Sequence, residues 1–391
     1  MAGQTSDIVI IGGGVAGMAL AAELTAIKAG KVIVLEKGYI GSGNSTRNVG
    51  RVRAPQLTEK LTKIALKCQK KYDALGEELG FNILFRRGGY AWLLYDNDEE
   101  SHMRKICEMH NRLGVKSELL DPDDALRRLP VLNSGEPLKG ALFHANDGIV
   151  HHDAVVMAYH QKARLQGASI YQGCEVKKIN VKEGRIIGVD TNQGTFGTSL
   201  IVNAAGPSSS EVARLAGIHI PSAPLRREVM VTMPVKPLMD CACTFYRPNE
   251  GWFNQTMRGE IVAGAVDAKE PFGYNRSTSF NFLSRTSSLL IRKAPILGSL
   301  KIQRSWAGMY DITPDHNPLI GQCKEVKGFY QLNGWSGRGM LLAPYMSELL
   351  AEQIINEATP ELLKFFNPNR FEGIKQDMEI HEDYYSRYKE A

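Results

Sequence analysis

At 391 residues the chain is too long for one ordinary hydrophobic core, which points to two interleaved or sequential domains. Its 43% hydrophobic and 23% charged residues suit a globular protein, and the net charge of +5 is spread without a basic block, so nothing favours nucleic acid as a partner. The six cysteines form no Cys-x-x-Cys pair and no apolar run approaches the roughly 20 residues of a bilayer span, which disfavours a redox disulfide, an iron–sulfur cluster, a metal site and a membrane span and leaves a cytoplasmic enzyme as the expectation.

Residues 7–36 read DIVIIGGGVAGMALAAELTAIKAGKVIVLE. An apolar run meets Gly12-Gly13-Gly14-Val15-Ala16-Gly17, a small-residue helix follows, and a second apolar run closes on Glu36. This is one β-α-β unit with Gly-x-Gly-x-x-Gly at the strand–helix junction. Gly12 permits the tight turn, Gly14 lets backbone approach a pyrophosphate, and Gly17 lets helix and strand pack closely. The helix N-terminus around Val15 and Ala16 offers unpaired N–H groups to phosphates. Glu36, nineteen residues past Gly17, is spaced to accept from a ribose diol. The apolar run after Asp7 is broken by glycines and does not resemble a signal peptide.

A glycine- and serine-rich loop at 38–50 ends near Arg51 and Arg53, and helical periodicity then runs over 57–79. Residues 82–95 suggest a hairpin that opens a second domain, with helices near 99–113 and 122–129. DGIVHH at 147–152 leads into a helix for which Asp153 is a candidate N-cap. Short meander strands are expected at 169–171, 175–182 and 185–191, then an apolar strand, SLIVNAAG, at 199–206 that returns beside the dinucleotide. Cys241 and Cys243 suit two core-facing positions of one strand. Residues 221–310 alternate as strands, and 328–355 reads as strand, glycine loop and amphipathic helix. The glycines at 334, 337 and 339 suggest a further cofactor contact.

Those features together are similar to the D-amino-acid-oxidase-like flavoprotein family over nearly the whole chain. The GWSGRGMLLAP loop-helix (334–344) is among the family's shared features; within the family, GSGNSTRN (41–48), DGIVHHDAVVMAY (147–159) and FFNPNRFE (365–372) resemble the β subunits of heterotetrameric sarcosine oxidase and of dye-linked L-proline dehydrogenase. The resemblance implies an α/β fold. A Rossmann-like FAD-binding domain of glutathione-reductase type, at 1–81, 147–220 and 306–360, is interleaved with an α+β substrate domain. The latter, at 82–146 and 221–305, carries a large antiparallel sheet, and a tail follows at 361–391. FAD contacts are expected from Gly12, Gly14, Val15, Ala16, Gly17, Glu36, Lys37, Ser42, Arg47, Asn48, Val176, Gly206, Gly337, Gly339 and Met340.

The resemblance also implies oxidation of a small amine bearing a carboxylate. A guanidinium matches a carboxylate through two parallel hydrogen bonds. The family's anchoring arginine falls on Arg53, Arg51 is left open, and Tyr310 falls where a tyrosine binds the same carboxylate. Gly308 stands where monomeric sarcosine oxidases carry the cysteine tethered to FAD, so the FAD is expected to be non-covalent. Met340 and Leu341 replace a carboxylate-binding lysine, which leaves room for a bulkier or more apolar substrate than sarcosine. Asp315 and His316 read as turn chemistry, since amine oxidation here needs position and electrostatics rather than a strong base. His152 matches a segment that meets FMN at a subunit interface. That implies an α subunit and small ferredoxin-like subunits as partners. A stand-alone oxidase of the glycine oxidase or monomeric sarcosine oxidase type and a non-catalytic FAD-binding assembly subunit are the alternatives.

Overall fold

The computed structural model describes residues 4–246 and 251–372. The last part of the expected tail, 373–391, lies outside the described residues. Two large sheets carry the architecture. The first has six strands in the order Ser169–Gln172, Val32–Glu36, Ile8–Ile11, Leu200–Asn203, Phe329–Asn333 and Leu319–Gln322. All pairs are parallel except the last, which is antiparallel. The four residues Ile8–Ile11 and the five of Val32–Glu36 are all buried, as strands covered on both faces must be.

Alternation along these strands feeds two separate cores. Ile8, Ile10, Val32 and Val34 face one way, into a core shared with the helices Val15–Ala26, His152–Leu165 and Gly339–Asn356. Val9, Ile11, Ile33 and Leu35 face the other way and pack against Ile179, Ile186, Val189 and Phe196. The latter belong to a smaller sheet in which Val176–Lys182, Arg185–Thr191 and Gly194–Gly197 form an antiparallel meander. Ser169–Gln172 is not part of that meander as expected. It joins the parallel sheet beside Val32–Glu36, because the helix His152–Leu165 returns the chain to that edge.

The second sheet has eight strands in the order Ile302–Ile312, Ala223–Thr232, Ile261–Gly264, Trp252–Gln255, Ala242–Phe245, Tyr90–Leu94, Gly140–His144 and Ser117–Leu120. It is antiparallel apart from the junction of Ala242–Phe245 with Tyr90–Leu94. Cys241 and Cys243 are both buried in its core, as their spacing suggested. The expected hairpin at 82–95 does not form. Arg86–Arg87 pairs with Gly148–Ile149 in a small third sheet, whereas Tyr90–Leu94 enters the eight-stranded one. Gly88 and Gly89 make the switch possible. A Cβ on Gly88 would lie 2.1 Å from the Asp240 carbonyl oxygen, and Gly89 has φ +86°.

Two long helices start where capping residues place them. Thr58 caps Glu59–Glu78 and Asp96 caps Asn97–Arg112 through side-chain oxygens that accept from Leu61 and Glu99 N–H. Asp153 is not an N-cap. The helix begins at His152 with His151 as its cap, and Asp153 lies in the first turn, where a negative charge favours the helix N-terminus. No helix among the described residues is long and apolar enough to cross a membrane.

Candidate active site

Both large sheets contribute to one cavity of about 670 Å³ that runs from the glycine fingerprint to the face of the eight-stranded sheet. At the fingerprint end, Gly12 has φ +117° and a Cβ there would lie 2.4 Å from the Ala204 carbonyl oxygen. A Cβ on Gly17 would meet the Gly12 carbonyl oxygen at 2.0 Å. Neither position admits a side chain, so backbone of both strands closes on the first helical turn. Gly14, Val15 and Ala16 line the cavity, and Ser45 Oγ accepts from the Val15 N–H at 2.8 Å.

The Glu36 carboxylate, at the end of its strand, is buried and already engaged. It accepts from Gly13 N–H at 2.7 Å, Gly38 N–H at 2.7 Å and Ser42 Oγ at 3.1 Å. A carboxylate offers about four acceptor sites, which leaves room for one hydroxyl of a ribose. Lys37 Nζ donates to Ser208 Oγ at 3.0 Å, and both residues line the cavity, as do Val176 and Gly206. Ser42 is not among the residues lining the cavity and meets one of them, Glu36, through its hydroxyl. Asn48 also turns inward on its own loop, donating to the Ser45 carbonyl at 2.7 Å and accepting from Gly50 N–H at 2.7 Å.

Arg47 lines the middle of the cavity. Its Nε is buried with no hydrogen-bond partner, a donor awaiting an acceptor. Its carbonyl accepts from Trp306 Nε1 at 3.0 Å. Gly308 faces this loop, with the nearest atoms to an added Cβ at 3.4 Å on Asn44 and 3.5 Å on Arg47. The helix Gly339–Asn356 points its N-terminus into the same space, and Gly337, Gly339, Met340 and Leu341 line it. A dinucleotide flavin fits these residues. Two helix N-termini line the cavity, an acid stands at the ribose position, and an unsatisfied guanidinium nitrogen lies in the same cavity.

At the far end the two arginines part company. The half-buried Arg51 is bound to the sheet. Its Nη1 donates to Thr244 Oγ1 at 2.8 Å, its Nη2 to the Cys243 and Phe253 carbonyls at 3.0 and 3.1 Å, and its Nε to Asn254 Oδ1 at 3.3 Å. It also lies 4.9 Å over the Trp252 ring, and removal from water lowers its pKa. Arg53 lies 5.0 Å over Tyr90 and 5.5 Å over Trp92, and donates to the Pro55 carbonyl at 3.1 Å. Tyr310 shares this end, its ring packed where a Cβ on Gly337 would lie 2.5 Å away.

Behind Arg53 is a buried polar scaffold that the sequence did not reveal. Asp147 Oδ1 accepts from Ala54 N–H at 2.9 Å and from Gln69 Nε2 at 2.5 Å, with His144 Nδ1 2.9 Å away. His110 Nε2 lies 2.7 Å from the Gln56 carbonyl and Nδ1 3.0 Å from Ser117 Oγ. The carbonyl can only accept, so Nε2 carries the proton and Nδ1 accepts from the hydroxyl. DGIV at 147–150 was legible only as an approach to a helix, because the partners of Asp147 are Ala54 and Gln69, far away in sequence.

The structure does not bring His152 to this cavity. It lies at the surface with Nδ1 2.8 Å from Asp153 Oδ1 and its ring 5.4 Å from that of His151. Asp315 forms a two-pronged ion pair with Arg370 at 2.8 and 2.9 Å and accepts from Asn317 N–H, which is turn chemistry tied to the C-terminal segment. Asp311, unremarked in the sequence, is buried beside the glycine loop.

The family model described as FAD dependent oxidoreductase (DAO) matches residues 7–353. The chain is 31% identical to a sarcosine oxidase subunit beta of Arthrobacter sp over 94% of this chain and 92% of that one. It is 28% identical to the same-named subunit of Rhodobacter capsulatus over 92% and 87%. Among solved structures, L-proline dehydrogenase from P. horikoshii superposes with a TM-score of 0.89 at 31% identity, over 95% of this chain and 98% of that one. Glycine oxidase from Geobacillus kaustophilus gives 0.86 at 25% identity, over 94% and 99%.

Proposed function

Because this chain belongs to the DAO family of FAD-dependent oxidoreductases, we propose that it oxidises a small secondary amino acid, sarcosine-like, proline-like or opine-like, to an imine. The observation that carries the reading is that Arg53, stacked on Tyr90 and Trp92, and Tyr310 line the same cavity as the glycine fingerprint. A carboxylate held by the Arg53 fork and the Tyr310 hydroxyl would set the neighbouring C–N bond at a fixed distance from the flavin. Such orientation replaces a costly encounter with a geometry already organised. The FAD, when bound, accepts the hydride equivalent.

The residues of this chain hold, orient and exclude water. Tyr90, Trp92 and Trp252 supply apolar surface that keeps the guanidinium groups of Arg51 and Arg53 in a low dielectric, where their pull on an anion strengthens. Arg51, saturated by sheet acceptors, acts in this reading by fixing the aromatic wall. Met340 and Leu341 leave the opposite wall apolar, which suits a ring or a longer N-substituent better than a second charge. The amine enters uncharged, its lone pair being needed for the imine.

Relatives named as β subunits support a place in a multi-subunit enzyme; in this reading the partner is an α subunit and FMN sits near His152. The similarity to glycine oxidase favours the second reading, a stand-alone oxidase. Anaerobic mixing of the FAD-loaded chain with sarcosine, proline and a set of opines tests the function. Loss of the oxidised flavin's visible absorbance is the expected result with at least one of them. A flavin that no secondary amino acid bleaches would overturn the reading. Peroxide formed by the chain alone at full rate would select the stand-alone enzyme.

A further inference from the structure

Asp311 is the penultimate residue of the longest strand of the eight-stranded sheet, Ile302–Ile312, with only 3% of its surface exposed. Its Oδ2 accepts from Gly334 N–H at 2.8 Å, and its carbonyl accepts from Ser336 N–H at 3.2 Å. The N–H groups of Trp335 and Ser336 also face the carboxylate and pull against the burial that raises its pKa to about 6. One short loop therefore wraps its backbone donors around a single buried anion, the arrangement of an anion nest.

That loop has no regular structure to hold it. Gly334 has φ +74°, Ser336 φ +47° and Gly337 φ +84°. A serine in the left-handed region persists only where its surroundings over-determine it. Two grips do so here. Asp311 takes the start of the loop, and the Tyr310 ring lies against Gly337 at its end, where an added Cβ would meet ring atoms at 2.5 and 2.6 Å. Tyr310 and Asp311 both line the cavity, and both hold the same four residues. Beyond the loop, Gly339 opens the helix whose first turn lines the cofactor cavity.

We propose that Asp311 is a positioning residue that locks the 334–337 loop to the Tyr310 strand, so that the cofactor contact and the substrate tyrosine are set by one buried carboxylate. The substrate half of this inference rests on the function proposed above, and the cofactor half does not. In Asp311→Asn the side chain keeps its shape but turns an NH₂ donor towards N–H donors. The buried loop amides then lose an acceptor, and losing one such bond weakens an equilibrium by roughly 10- to 100-fold.

The experiment uses the full chain stripped of flavin and titrated with FAD, read by flavin fluorescence, followed by kcat and KM with the amine that bleaches the wild type. Asp311→Asn is expected to raise the FAD Kd roughly 10- to 100-fold and, at saturating FAD, to raise KM as well. Tyr310→Phe is expected to raise KM with FAD affinity unchanged. Asp311→Asn with wild-type FAD affinity would overturn the proposal. So would a weaker FAD affinity in Asp311→Asn with KM unchanged, since the carboxylate would then not set the tyrosine. If Asp311→Asn does not fold, amide exchange in the wild-type apoprotein decides. Protection of Gly334, Trp335 and Ser336 equal to that of strand amides is expected, and rapid exchange there would overturn the lock. If no amine bleaches the wild type, the proposed function fails while the FAD titration still judges the loop.

Discussion

Arg51 and Arg53 stand two residues apart, yet their guanidinium groups meet different surroundings, and each supports its own prediction. Arg53→Ala should weaken substrate binding by about 2–5 kcal/mol, because a desolvated carboxylate loses a charge-assisted, two-pronged partner. FAD affinity should hardly move, and Arg53→Lys should rescue poorly since an ammonium lacks the planar fork. Substrate titrations of flavin absorbance check this, and wild-type affinity in Arg53→Ala would shift the anchor elsewhere. Arg51→Met should act on the fold instead. It strips donors from the Cys243 and Phe253 carbonyls and from Asn254, and a loss of about 3 kcal/mol in urea unfolding is expected. Gly308 has no sulfur to offer at the place where the resemblance puts a tethering cysteine, so FAD held without a covalent bond is expected. Acid precipitation should therefore release all the flavin into the supernatant, and flavin retained on the denatured chain would refute it. The arginines were legible as candidates from their loop, but which one the sheet had already claimed depended on strands about 190 to 200 residues further on.

At the scale of elements, the helix Asn97–Arg112 does more than cover the substrate sheet. Through His110 near its end it holds the Gln56 carbonyl, three residues past Arg53. Burial pushes the His110 pKa down from the ordinary 6.5 to about 4, so the folded protein keeps it neutral. The unfolded chain takes up a proton as pH falls below 6.5, whereas the folded chain does so only near 4. Stability therefore rises with pH across that window and is lost as pH falls through it, by up to about 3 kcal/mol for this one group. Unfolding at pH 7 and pH 5 should show a smaller loss for His110→Gln than for the wild type, and equal losses would return His110 to an ordinary packing role. The helices Glu59–Glu78 and Asn97–Arg112 could be read approximately from periodicity, whose signal is local. The 82–95 hairpin could not, because Gly88 and Gly89 send the two strands to sheets that the local sequence does not specify.

For the whole molecule, the α/β dinucleotide fold and its second, large sheet stand as the sequence implied. The surface position of the His152 segment bears on assembly. If the chain works as a β subunit, it should co-purify with partner subunits in a complex that holds FMN as well as FAD. His152→Ala should then lower FMN content and leave reduction of FAD by substrate unchanged. Unaltered FMN and unaltered transfer to the acceptor would remove that role. What the sequence determined by itself was whatever depends on neighbours along the chain: the β-α-β unit, the glycine turn, and Glu36 at the end of its strand. What the tertiary structure decided was whatever depends on contacts across hundreds of residues. It split the parallel strands' alternate residues between two cores, tied Arg51 to the substrate sheet, buried Asp147 behind Arg53, and closed the 334–337 loop on Asp311. A turn or a cap is fixed by backbone sterics and a few hydrogen bonds within reach. A buried polar group is fixed by the partners that folding brings to it, and no local pattern records those.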